Sequence, residues 1–247
     1  FSFNARDSET EEFIPATSVQ LLEFERQGEV VPVEIAPVFE NLYDSYRSAT
    51  LNSVQTFSMG NKIIGYIRFW GLSRSTSDLF TLERTMRILK GSDGIIIDLR
   101  NSYGYLSSKH LDMFIRNGRG NFEVSDASNR HAAITSNFSP SATRTFTRPI
   151  VVLVNSKTRA GAELFAYGLA KPGRISTLGE SSAGKIGSYS LDGNSIRYTP
   201  ADQLLIDGQN FESVGVVPDD SIPFPFTESR RSDPQFGAGI DILLGRI

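Results

Sequence analysis

Two short runs constrain this chain more than any other feature. Gly94-Ile-Ile-Ile-Asp-Leu-Arg100 and Pro149-Ile-Val-Val-Leu-Val154 are apolar through their interiors, with no polar residue at alternate positions. A strand with one face in water alternates; a strand covered on both faces does not, so both runs predict fully buried strands of the parallel-sheet kind. The first also delivers Asp98 and Arg100 to its C-terminal edge, two residues apart and therefore on one face. That spacing suits a structural ion pair as well as a catalytic role.

The surrounding pattern extends this into a β-α-β rhythm, the mark of an α/β protein. Asn61–Trp70 is rich in β-branched and aromatic residues and reads as a strand. Leu79, Leu82, Met86 and Leu89 fall at helical spacing behind a cap at Ser77 or Thr76. A second helix carries Leu106, His110, Leu111 and Phe114 on one side, a third covers 161–170, and a strand covers 174–178. Upstream, 19–26 and 29–35 form a hairpin about Gln27-Gly28. Downstream of Lys185 the pattern turns to strands at 188–191 and 195–199 about an Asp192-Gly193 turn, and Asp233-Pro234 opens a closing helix through Leu244. Residues 1–17 read as polar loop, and 117–147, long and without period, as a lid or binding loop.

Composition removes several function classes. A chain of 247 residues with 39% hydrophobic content builds a packed core. With 25 basic against 28 acidic residues it has no cationic footprint, so neither nucleic acid nor an anionic membrane is expected as a partner. The absence of cysteine excludes disulfides, a thiol nucleophile and thiolate zinc sites. Only two histidines, His110 and His131, remain for a metal centre, and none is expected. His110 reads as a packing residue. No apolar run approaches the roughly 18 residues of a membrane span. The chain opens on Phe1 without a basic-then-apolar leader, as expected of a mature or trimmed segment.

Gly179-Glu-Ser-Ser-Ala-Gly-Lys185 has the glycine and lysine spacing of a phosphate-binding loop. It lacks the rest of one: position 186 is Ile instead of a hydroxyl residue, and a hairpin follows where a helix should face the phosphates. Alone, the segment would read as a glycine-rich turn with a solvated lysine.

Its neighbours change that reading. Ile97-Asp98-Leu99-Arg100-Asn101-Ser102-Tyr103-Gly104, then Leu153-Val154-Asn155 with Thr158-Arg159-Ala160-Gly161-Ala162-Glu163, then Gly179–Lys185, then Gly215-Val216-Val217-Pro218-Asp219 stand in one order. Over about residues 61 to 247 this resembles the C-terminal-processing, or tail-specific, serine proteases. The resemblance implies an α/β core of the ClpP/crotonase-like type and an extracytoplasmic endopeptidase that needs no cofactor. Its substrate would be a protein or peptide, with the oligomeric state left open. It also implies a nucleophilic serine at position 160, with Lys185 as general base at the family spacing. Backbone donors at Gly104 and Gly161 would serve the oxyanion, with Asp98, Arg100 and Glu163 as supporting polar residues.

Position 160 is alanine, the central departure. It is either a substitution that stops cleavage or the natural loss of the nucleophile; the persistence of Lys185, Glu163, Asp98 and Arg100 favours the former. Tyr189 stands where many members orient the lysine with glutamine, a role a phenol can take over. Tyr105 replaces a second glycine. A lysine amine acts as a base only where its charged form is destabilised, and Ala183 and Ile186 suggest a partly dry setting for Lys185. Residues 1–60 are too few for the whole PDZ domain that usually precedes the core in the family; the 19–35 hairpin resembles the tail of such a domain, and the module is expected to be deleted, to lie outside this sequence or to be replaced by something smaller, ahead of a protease core at 61–247. The rival functions are a non-catalytic module on the same fold, binding peptides or hydrophobic ligands, and nucleotide binding at Gly179–Lys185.

Overall fold

The computed structural model describes residues 19–26, 28–36, 41–115, 122–125, 131–134, 145–192, 195–201, 204–224 and 232–247. In chain order the elements are β1 (Gln20–Arg26), β2 (Glu29–Ile35), α1 (Leu42–Asn52), β3 (Gln55–Met59), β4 (Lys62–Arg68), β5 (Gly71–Leu72) and α2 (Thr76–Leu89). Next come β6 (Gly94–Asp98), β7 (Tyr103–Gly104), α3 (Ser108–Asp112), β8 (Phe122–Ser125), β9 (His131–Ile134), β10 (Ile150–Val154), α4 (Gly161–Ala170) and β11 (Ile175–Gly179). The chain closes with β12 (Ser188–Asp192), β13 (Ser195–Thr199), β14 (Leu205–Ile206), β15 (Gln209–Asn210), β16 (Asp220–Ser221) and α5 (Pro234–Leu244).

Two compact units result, Phe1–Ser45 and Tyr46–Ile247. In the first, β1 and β2 pair antiparallel from Gln20↔Ile35 to Arg26↔Glu29, and Gly28 turns the chain at φ 81. The register places Leu22 and Phe24 across from Val33 and Val31 on one face.

The second unit is built on a six-stranded sheet of order β16-β11-β10-β6-β4-β3. Strands β4, β6, β10 and β11 are mutually parallel, and β3 is an antiparallel edge. The buried strands expected from the apolar runs are present, and every residue of β6 and β10 is buried. Each crossover from β4 through β11 steps to the next strand in the same direction. Right-handed connections then put the crossover helices on a single face. Accordingly Leu82, Met86 and Leu89 of α2, Leu111 of α3 and Phe165 and Leu169 of α4 pack with Ile95, Ile97 and Leu99 in one core cluster. On the other face Ile240 and Leu243 of α5 cover Ile64, Ile96, Val151 and Leu153.

Local details differ from expectation for identifiable reasons. The cap of α2 is Ser75, whose extended backbone lets its hydroxyl accept from the Asp78 N–H (3.2 Å); Thr76 and Ser77 are already helical. The second helix shrinks to five residues, Ser108–Asp112, and leaves Leu106 outside it. Asp192 is the last residue of β12, paired with Ser195; Gly193, the other half of the expected Asp192-Gly193 turn, lies outside the described residues. Much of 117–147 lies outside them too, as do residues 1–17. Within that stretch β8 pairs with β9 and β14, strands too short to show a period. Asp233 caps α5 as expected, accepting from the Phe236 N–H, with Pro234 in the first turn.

Candidate active site

Open parallel sheets bind ligands beyond the carboxyl ends of their strands, where the connecting loops meet. Here the segments leaving β6, β10 and β11 meet at that edge and are laced together. The Asn101 N–H donates to Asn155 Oδ1 (2.9 Å), and the Asn155 amide returns a bond to Asn101 Oδ1 (3.2 Å). Thr158 Oγ1 donates to the Leu99 carbonyl (2.8 Å), and the Arg159 N–H to the Ser102 carbonyl (3.0 Å). The Ala183 N–H donates to the Thr158 carbonyl (2.9 Å).

At their meeting point Ala160 has φ 55 and ψ −132, a conformation that side-chain-bearing residues rarely hold, at the entry to α4. Its N–H is shared between the Lys185 carbonyl (2.9 Å) and Glu163 Oε2 (3.0 Å). A strand-to-helix turn of this kind presents one side chain at the sheet edge. Gly161 is required beside it: a Cβ there would meet the Gly104 carbonyl oxygen at 2.4 Å and the Leu106 nitrogen at 2.5 Å. Gly104 itself lies at φ 115 against the backbone of Leu72. The Gly161 N–H, at the first position of α4, makes no hydrogen bond among the described residues.

Glu163 fastens the elbow to its surroundings. Fully buried, its carboxylate accepts from the N–H groups of Ala160, Gly184 and Lys185 and from the Ser182 hydroxyl (2.6 Å). Ser182 Oγ in turn accepts from the Val216 N–H (2.7 Å), which brings in the closing Gly215–Asp219 segment. Burial pushes the Glu163 carboxyl above its ordinary value, against the opposing pull of Ser182 and the three backbone donors. The first turn of a helix favours a carboxylate in any protein; here that carboxylate also joins three loops.

The dry setting expected for Lys185 is not found, because its side chain is exposed. The inward anchoring of the flanking backbone turns that side chain outward. Glu212, 4% exposed, accepts from the Ile186 N–H (3.2 Å) and from the Tyr198 hydroxyl. Tyr198 accepts from the Gly187 N–H (3.0 Å), and the Lys185 ammonium stands 5.9 Å from its ring centroid. The motif reading missed Tyr198 and Glu212. They come from β13 and the segment after β15, and the one available signal was the strand register: Tyr198 pairs with Tyr189, the residue expected to orient Lys185. The side chain of Tyr189 lies outside the described part of the structure.

Asp98 and Arg100 are placed elsewhere. Asp98 lies on the α5 face of the sheet, opposite α4, since it follows the parity of Ile96 and not of Ile97. Arg100 grips both its oxygens (2.9 and 2.6 Å) and reaches Asp233 (3.0 and 2.7 Å) and Gln235 (3.1 Å), at the start of α5. Tyr66 also donates to Asp98 (2.8 Å). This pair clasps a helix. His110 is a cap: its Nδ1 accepts from the Ser107 N–H (2.9 Å), and its ring packs edge-on against Phe165. Among the described residues no group of His, Asp and Glu is placed to hold a metal ion, and no helix is long and apolar enough to cross a membrane.

Comparison with known proteins bears on the same segments. The sequence model of peptidase family S41 matches residues 63–222. The carboxyl-terminal-processing protease of Synechocystis is 28% identical over 241 residues, covering 94% of this chain and 55% of that protein. The carboxy-terminal processing protease CtpA of Bacillus subtilis is 29% identical over 168 residues, 65% of this chain and 35% of that one. The chain thus spans about half, or less, of the curated relatives it matches. Among solved structures, the photosystem II D1 C-terminal processing protease superposes with a TM-score of 0.54 at 20% identity, over 93% of this chain and 60% of its own. A Streptococcus agalactiae lipoprotein does so with 0.55 at 17%, over 83% and 74%. At these identities the structural likeness establishes the α/β fold.

Proposed function

This chain belongs to peptidase family S41, and we propose that it is a C-terminal-processing serine endopeptidase core whose site holds a peptide but, with alanine at position 160, does not cut it. One observation carries the proposal. The backbone at Ala160 keeps the strained φ/ψ that aims a side chain out of the sheet edge, while the side chain it aims has no oxygen. Strain of this kind persists only where the surroundings impose it, and it concentrates at functional sites.

With serine at 160, the hydroxyl would pass its proton to the Lys185 amine as its oxygen attacks the scissile carbonyl. The lysine would return the proton to the leaving amine, and water would release the acyl group. The Gly161 N–H, unspent among the described residues, and that of Gly104 would face the developing oxyanion. Exposure of Lys185 fits an open state, since a peptide laid over the site would itself exclude water from the amine. An extracytoplasmic site of action, and a 1–60 segment derived from a peptide-binding module, belong to the same proposal.

The rival reading, a module that binds without ever having cut, draws on Ala160 and on the solvation of Lys185. Casein proteolysis by Ala160→Ser, alone and combined with Lys185→Ala, separates the two. Cleavage by the first, falling by several orders of magnitude in the second, is the expected result. A folded Ala160→Ser protein that leaves casein intact would favour the binding module.

A further inference from the structure

The turn that presses on Gly161 is Tyr103-Gly104-Tyr105, so its two tyrosines flank the elbow. Each ring carries a guanidinium: Arg159 stands 5.1 Å from the Tyr103 centroid and Arg74 5.7 Å from that of Tyr105. Arg74 also gives its Nε–H to the Leu106 carbonyl (2.8 Å), whose own N–H lies against Gly161. Among the described residues neither arginine has a carboxylate partner. The acidic groups of the site are spent inward, Glu163 on four donors and Glu212 on Tyr198 and Ile186. With Lys185 exposed, three cationic side chains, Arg74, Arg159 and Lys185, belong to the segments around the elbow, in a chain whose net charge is −3.

A guanidinium over a ring is held in place while its unspent N–H donors, the two Nη groups in the case of Arg74, stay open to a carboxylate. We propose that Arg74 and Arg159 form a carboxylate-binding rim, so that the site selects peptides bearing an acidic group beside the segment held at the elbow. This rests on the peptide-binding reading above and adds to it the chemistry of the ligand. An Asp or Glu side chain and a peptide's terminal carboxylate offer that same chemistry.

The test uses the chain as written, which binds without consuming its ligand, and follows fluorescence anisotropy of short fluorescein-labelled peptides. The peptides are matched in pairs, with Glu against Gln at an internal position and a free against an amidated terminus. Carboxylate members should bind about three- to ten-fold more tightly, with the advantage shrinking as salt rises. Arg74→Gln and Arg159→Gln should erase that advantage while hardly changing binding of the neutral members, and Arg159→Lys should restore part of it. The pair that responds identifies the source of the carboxylate. Equal binding of all members, or equal losses for charged and neutral peptides in folded variants, would overturn the rim and leave the peptide-binding reading standing. If no peptide binds at all, both fall.

Discussion

Glu163 is a fully buried carboxylate whose four donors come from the elbow, the lysine loop and Ser182. Burying a charge is costly unless hydrogen bonds replace water, and here they do. Removing the carboxylate strands the donors in its place. Glu163→Ala should therefore cost about 3 kcal/mol or more, and Glu163→Gln, which sets an amide N–H against the same donors, about 2 kcal/mol. Urea denaturation reads both; losses below about 1 kcal/mol would mean that the loops hold together without it.

Beside its apolar packing, α5 is tied to the sheet by one guanidinium. Arg100 reaches Asp98, Asp233 and Gln235 at once, and Asp233 is also the cap of α5. Burial works against the charge on Arg100, but the bonds to Asp98 and Asp233 outweigh it and hold its pKa above the ordinary value. Arg100→Met leaves Asp98, fully buried, without its counter-ion and should cost about 3–5 kcal/mol. Adding Asp98→Asn should restore part of that loss. A double-mutant cycle measures the coupling, and strict additivity would show that the two do not act as a pair.

Global stability should carry a pH signature. Burial lowers the His110 pKa from 6.5 to about 4, and its Nδ1 is engaged as an acceptor in capping α3. Between those values the unfolded chain binds a proton that the folded chain refuses. Stability therefore falls as pH drops from 6.5 toward 4, by up to roughly 3 kcal/mol from this group. Glu163 acts in the opposite sense: its raised pKa makes the folded state take up a proton earlier, which offsets part of the loss. Asp233 and Asp207, held low against burial chiefly by Arg100 and Lys171, contribute below this window. Denaturation midpoints measured across pH 4–6.5 should show the decline in the parent and a flatter profile in His110→Gln; parallel profiles would remove His110 as its source.

Local rules sufficed for much of this molecule. Unbroken apolar runs mark β6 and β10 because a strand covered on both faces has no position for a polar residue. The span of α4 and the Asp233 cap of α5 follow equally from local chemistry. Motif order likewise pointed to the elbow at 160 and the loop at 185. Whether Asp98 serves that site or a helix on the opposite face depends on where α5 docks, which no spacing within β6 contains. Tyr198 and Glu212 lie outside every motif, and Tyr198 stands by Lys185 and Glu212 by the Ile186 N–H only because the β12–β13 hairpin and the segment after β15 fold back beside that loop. The sequence by itself determined the buried strands β6 and β10, the helices α2, α4 and α5 and the residue types at the sheet edge, since these follow from interactions between near neighbours. Only the tertiary structure decided which side chains face one another there and which face water, because those contacts join segments distant in the chain.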